Sequence, residues 1–162
     1  MEEKRNKKTF TPEQSFVKIC RWCAFQERSQ QEVRDKLYDY GLHQSDVEQI
    51  ISRVISDGFL NEERFAIAFA GGKFRQLNWG KEKIKIALKH KRVSDYCIKK
   101  ALNLISDHDY LNGMRKVLKK REDEEKEKEP FKRKYKLANY LVSRGFESDL
   151  VWSALKGDEF QD

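Results

Sequence analysis

The chain has 162 residues, with 34 Lys+Arg against 27 Asp+Glu, a formal net charge of +7 and a mean hydropathy of −0.88. No uninterrupted apolar run approaches the roughly eighteen residues that a membrane helix needs, and 10 Phe, 6 Tyr and 3 Trp argue against global disorder. With only 2 Pro and 8 Gly, long regular elements are expected, most simply helices.

The first ten residues, MEEKRNKKTF, are charged and lack an apolar h-region, so no secretory signal is expected and residues 1–10 read as a disordered basic tail. Thr11-Pro12-Glu13-Gln14 then reads as a capping box with proline at the first helical position. The helix behind it carries Phe16, Ile19, Cys20 and Cys23 on one face. Cys20-Arg21-Trp22-Cys23 spells C-x-x-C. A redox motif wants a βαβ context, and a zinc site wants four ligands. Beyond this pair there is only Cys97, with His43, His90 and His108 scattered. Small apolar core residues in a reducing compartment, the cytoplasm, are the simpler reading, with no metal and no cofactor.

Ser29-x-x-Glu32 and Ser45-x-x-Glu48 are two further capping boxes, and between them lies a pattern that recurs. Before Gly41 stand Val33 and Leu37, and after it Leu42, Val47, Ile50 and Ile51. The same spacing fits Arg92, with Ile84, Leu88, Val93, Ile98, Ala101 and Leu102. It fits again at Gly145, with Leu137, Leu141, Phe146, Val151, Ala154 and Leu155. The three anchors are 51 and 53 residues apart. Apolar groups four apart share a helical face, and a glycine after the helix suits a left-handed terminus. The apolar set that follows is a second helix, so each copy is a helix-turn-helix signature. Arg92 breaks the glycine rule.

Each copy has a helix upstream. In the second copy Asn61-Glu62-Glu63 starts it, and Phe65, Ala68 and Phe69 mark its apolar face. Gly71 to Gly80 then reads as a long connector, with the Gly71-Gly72 pair weakening the helix or admitting another backbone. In the third copy the upstream helix carries Leu111, Met114, Val117 and Leu118. The charged run Arg121–Glu129 follows, as a solvated helix extension or a loop, before Pro130 opens the next helix. The expected fold is all-α, with three tandem three-helix repeats over 11–59, 60–106 and 107–157 in an elongated, curved array, and a short tail over 158–162. A unit of about 50 residues buries little alone, so neighbours should share apolar surface.

Charge is not spread evenly. Between Lys73 and Lys100 ten bases face two acids, a net of +8, and the remainder sums to −1. That is what a footprint for a polyanion looks like, and also what a solvated helical face looks like. Lys81, Lys85 and Lys89 follow at i, i+4 and i+8, on one face. Trp79 and Phe74 beside them are either core anchors or stacking platforms. There is no phosphate loop, no H-E-x-x-H and no nucleophile elbow, so a binding scaffold is expected rather than an enzyme.

The stretches Arg28-Ser29-Gln30-Gln31-Glu32-Val33 with Lys36-Leu37 and Gly41, Leu60-Asn61-Glu62-Glu63-Arg64-Phe65-Ala66 with Phe69, Lys73, Arg75, Gly80, Lys83, Ile84 and Leu88, and Lys134, Leu137, Leu141 with Arg144-Gly145-Phe146 together resemble the RecX family of RecA recombinase regulators. The chain departs from the family at Asn61, where Asp is usual, and at Lys81, where Pro is common. The resemblance implies binding along the groove of the RecA filament on single-stranded DNA, and inhibition of its growth, ATP hydrolysis, strand exchange and coprotease activity. A monomer is expected, with weak direct nucleic-acid binding and no membrane partner. Candidate partner or DNA contacts are Arg28, Arg64, Lys73, Arg75, Lys81, Lys83, Lys85 and Lys89. Arg64 could instead pair with Glu62 or Glu63. A stand-alone helix-turn-helix DNA-binding protein and a pure protein scaffold are the competing readings.

Overall fold

Thr11 opens the first helix by accepting a hydrogen bond from Gln14 N while the Gln14 side chain accepts from Thr11 N. Ser29 and Glu32 exchange the same pair of bonds at the second. Such caps contribute about 1 kcal/mol each by satisfying donors that the helix leaves orphaned. A computed structural model describes residues 8–157, and shows nine helices and no strand among them. The first unit holds α1 (Pro12–Phe25), α2 (Gln30–Asp39) and α3 (Gln44–Ser56). The second holds α4 (Glu62–Leu77), α5 (Lys81–His90) and α6 (Asp95–Asn103). The third holds α7 (Asp107–Glu124), α8 (Pro130–Ser143) and α9 (Ser148–Gly157).

Four local expectations change. The cap of α3 is His43, with no side-chain bond, rather than Ser45. The Glu48 carboxylate is instead taken by Arg34 of α2, at 2.8 Å from Nε. The Gly71–Gly80 connector shrinks to Asn78-Trp79-Gly80, because α4 runs through both glycines. Its inward face is Phe65, Ala66, Ala70, Gly71 and Phe74, and Ala68 is exposed. The charged run is helical to Glu124. Beyond it, Arg133 donates to the carbonyls of Glu122, Glu125 and Glu127, and Lys136 lies 3.1 Å from Glu127, so the segment is tied to α8. The tail reading of 1–10 falls mainly outside the described residues, as does 158–162. Of its described part, Phe10 N donates to Tyr40 O at 3.0 Å and the Phe10 ring sits edge-on to Tyr40.

Helix-ending positions Gly41, Arg92 and Gly145 all take positive φ, at 85°, 58° and 98°. They are therefore equivalent in backbone, and the arginine pays the steric penalty of the left-handed region. The units differ in how they join. The second and third share one continuous core, from Phe65, Ile84 and Leu88 through Met114 to Leu141, Phe146 and Val151. Phe74, Tyr110 and Phe146 form its hub, with ring centroids 5.8 and 5.5 Å apart. The first unit has a separate core of Ile19, Val33, Leu37, Val47, Ile51, Val54 and Leu60. Shared apolar surface thus holds for one seam. The other is bridged by ion pairs, Glu32–Lys91 and Glu27–Arg64, each 2.5 Å.

Candidate partner and nucleic-acid interface

Helix α5 carries the lysine row, and what aims it is a seam between units two and three. Gly80 caps α5 without a side chain. The orphaned donors of the first turn are satisfied from the third unit instead. Glu82 N donates to Gly145 O at 3.0 Å, Gly80 N donates to Arg144 O at 2.9 Å, and Lys81 N donates to the Tyr110 hydroxyl at 3.0 Å. The start of α5 and the end of α8 thus cap one another. A Cβ on Gly80 would lie 2.1 Å from the Gly145 carbonyl carbon, and one on Gly145 would lie 2.4 Å from Lys83 Cβ. Both positions therefore require glycine for close approach, and Gly145 also for its φ of 98°.

Behind the seam the Tyr110 hydroxyl donates to Glu147 at 2.5 Å. Burial, reinforced by that bond, pushes the phenol well above its ordinary range. The Lys81 ammonium lies over the Tyr110 ring at 4.7 Å, so the first lysine of the row is held from two directions.

The eight candidate cations do not form one surface. Lys81, Lys85 and Lys89 do share a face, and with Lys99 of α6 they line a groove of about 410 Å³ floored by Ile98 and Leu102. Glu82, Asp95 and Glu147 line the same groove, so its balance is four cations minus three carboxylates, or +1. Lys83 points elsewhere and meets Lys73 at Trp79, their ammonium groups 4.6 and 5.0 Å from the ring centroid. Trp79 is therefore an organiser of two cations packed against the core, and Phe74 is buried in it. Arg75 lies by itself against Gly71, where a Cβ would meet its guanidinium at 2.7 Å.

Two candidates work inside the chain. Arg28 donates Nε to Trp22 O and stacks on the Trp22 ring at 4.0 Å. Arg64 pairs with Glu27 across the first seam and donates to Gly58 O, rather than pairing with Glu62 or Glu63. Those two have other partners. Glu62 accepts from Ser94 N, and Glu63 pairs with Lys100.

A second concavity of about 410 Å³ was not foreseen. It is lined by Lys116, Lys120 and Arg121 of α7, Tyr140 of α8, Arg144, and Asn78 from the end of α4, with Glu124 as its one carboxylate. Its balance is four minus one, or +3. Segment sums hid it, because the bases of α7 are cancelled in sequence by the carboxylates of 122–129. The spacing of Lys116 and Lys120, one turn apart, was the available signal. The three cysteines are free thiols, Cys23 and Cys97 buried. Among the described residues no cluster of three or more His, Cys, Asp or Glu could hold a metal ion, and no helix is long and apolar enough to cross a membrane.

Comparison with known proteins follows the same division. Models for the first, second and third three-helix domains of RecX match residues 16–53, 61–102 and 108–155. The chain is 30% identical to a protein named Regulatory protein RecX from Streptococcus uberis over 131 residues, which is 80% of this chain and 50% of that one. It is 28% identical to its namesake from Clostridium perfringens, over 80% of this chain and 61% of that one. The chain thus spans about half to three-fifths of the curated relatives it matches. The crystal structure of RecX from Lactobacillus salivarius superposes with a TM-score of 0.82 at 20% identity, covering 90% of this chain and 95% of that chain. With three successive family models laid over most of the chain, in the order in which its helices stack, the chain belongs to the RecX family.

Proposed function

We propose that this chain is a non-catalytic regulator that binds the filament of the RecA recombinase on single-stranded DNA and restrains its ATP turnover, strand exchange and coprotease activity. Family membership supports the regulatory role, and relatives are named for it. The observation that carries the reading is the row Lys81–Lys85–Lys89, aimed outward from a helix that the third unit caps. Such a row contacts phosphate or acidic surface without reading sequence. A groove balance of +1 means that the row alone is a weak polyanion site, which suits a protein that needs its partner in order to stay on DNA. Restraint requires that the chain bind one filament state better than another, since equal binding shifts nothing.

The test is titration of the purified chain into RecA–single-stranded DNA filaments while ATP turnover is followed. Turnover falls with the parent chain, and falls less with the triple variant K81E/K85E/K89E. Undiminished turnover at saturating chain would remove the proposal. Unchanged potency of the triple variant would remove the lysine row from it. A tight shift of duplex DNA without RecA would favour the stand-alone DNA-binding reading.

A further inference from the structure

We infer that the pocket between α7, the end of α8 and the α4–α5 turn is a phosphate site, and that it takes a phosphodiester of single-stranded nucleic acid. This inference does not depend on the regulatory reading, because the site is complete in the isolated chain.

Charge is the first ground. Lys116, Lys120, Arg121 and Arg144 converge on one concavity with Glu124 as the only carboxylate. At +3 it is the more basic of the two 410 Å³ concavities, although α5 carries the conspicuous lysines. Glu124 is a poor internal neutraliser. It is 3.9 Å from Arg121 with 56% of its side chain exposed, and pairs of that kind contribute about 0–1 kcal/mol. No ion pair joins Lys116, Lys120 or Arg144 to a carboxylate among the described residues.

Pre-organisation is the second. The Arg121 guanidinium lies on the Tyr140 ring at 4.4 Å. Arg144 is anchored by one terminal nitrogen to Leu77 O. Each fork is thus fixed at one point, and the ordering cost is met before a ligand arrives. The Nε groups of both arginines are shielded from water without a hydrogen-bond partner. Guanidinium groups that the fold has dried in this way interact more strongly with an oxyanion than solvated ones do.

The third ground is the removal of what would repel an anion. The C-terminal ends of α4 and α8 both meet here, and helix C-termini carry partial negative charge. Three carbonyls at these ends are taken up within the chain. Leu77 O accepts from Arg144, Arg144 O from Gly80 N, and Gly145 O from Glu82 N. Flat guanidinium forks with two ammonium groups match the non-bridging oxygens of a phosphate. Further cations neighbour the site: Asn78 of the pocket precedes Trp79, which holds Lys73 and Lys83, and Lys83 packs on Gly145 beside Arg144.

The test uses the full chain and its arginine Nε–H resonances, because those two protons are shielded and unpaired. Titrate separately with oligo(dT), inorganic phosphate and poly-glutamate. Oligo(dT) is expected to shift the Arg121 and Arg144 Nε–H signals. K116Q/K120Q, both exposed positions, is expected to weaken binding and lower the slope of log K against log salt by roughly 1.4, or 0.7 per lost contact. The melting curve of K116Q/K120Q verifies that it folds. Shifts with inorganic phosphate but not with oligo(dT) would overturn the nucleic-acid assignment. Shifts with poly-glutamate alone, no shift with any probe, or an unchanged salt slope would overturn the site.

Discussion

Replacing Gly80 with alanine tests the seam on which both basic surfaces depend. The new Cβ would lie 2.1 Å from the Gly145 carbonyl carbon and 2.2 Å from Phe146 N, and these are backbone atoms with no rotamer to yield. Carbon atoms need about 3.5 Å, so the two turns must part by more than an ångström. That breaks the Gly80 N–Arg144 O and Glu82 N–Gly145 O bonds, at 2.9 and 3.0 Å. Each is worth about 1 kcal/mol net. Displacing the packed turns costs about 1–3 kcal/mol more. The total is about 3–5 kcal/mol, which for a chain of this size is a fall of roughly 10 °C in Tm. Gly72→Ala is the control, since its Cβ meets nothing within 4 Å and a helical alanine gains about 0.5–1 kcal/mol. Urea unfolding should be read at Trp79 and Trp152 for the shared core and at Trp22 for the separate one. G80A should destabilise the first signal and leave the second near the parent value. A G80A stability within about 0.5 kcal/mol of the parent, or a G72A as damaging as G80A, would refute the reasoning.

The seam between the first and second units should respond to salt, because its two ion pairs are half-exposed and screened. Small-angle scattering should show raised salt and the E27Q/E32Q variant changing the radius of gyration in the same direction, and a salt-independent profile contradicts this. The Tyr110 phenol is held protonated above its ordinary pKa, first by burial and then by its bond to Glu147. Its stabilising contribution is therefore complete below about pH 10, the unfolded value, and is lost as pH climbs through the folded one. Ultraviolet titration should find one tyrosine silent until the fold opens, and Tyr110→Phe should abolish that alkaline loss while costing about 1–2 kcal/mol at neutral pH. Burial pushes the Cys23 thiol up to about 11 from 9.0. Its alkylation at pH 8, followed by mass spectrometry, should accelerate roughly a hundredfold or more in urea. Equal rates in the folded and unfolded chain would contradict its burial.

Much of the architecture is legible from local pattern. Val33 and Leu37, Ile84 and Leu88, and Leu137 and Leu141 are buried as their four-residue spacing requires. Thr11, Ser29 and Asn61 cap their helices, and Pro12 and Pro130 stand at first positions. These are interactions across one turn of chain, and so they are written in adjacent residues. The Ser45 box failed because Glu48 had a partner fourteen residues away, and the Gly71-Gly72 break failed because tertiary packing on the Phe74 side carried α4 through it.

The surfaces were less legible, because a charge count along the chain does not know what faces it. Glu147 enters the α5 groove from the third unit, and Asn78 and Arg144 complete the second pocket from different units. The sequence by itself determined three two-helix patterns with a helix before each, since hydrophobic period, caps and turn residues act within a few positions. Only the tertiary structure decided that equivalent turns at Arg92 and Gly145 make unlike seams, one of side-chain ion pairs and one of backbone in contact with backbone. A close approach is a property of two segments at once, and Gly80 and Gly145 stand 65 residues apart.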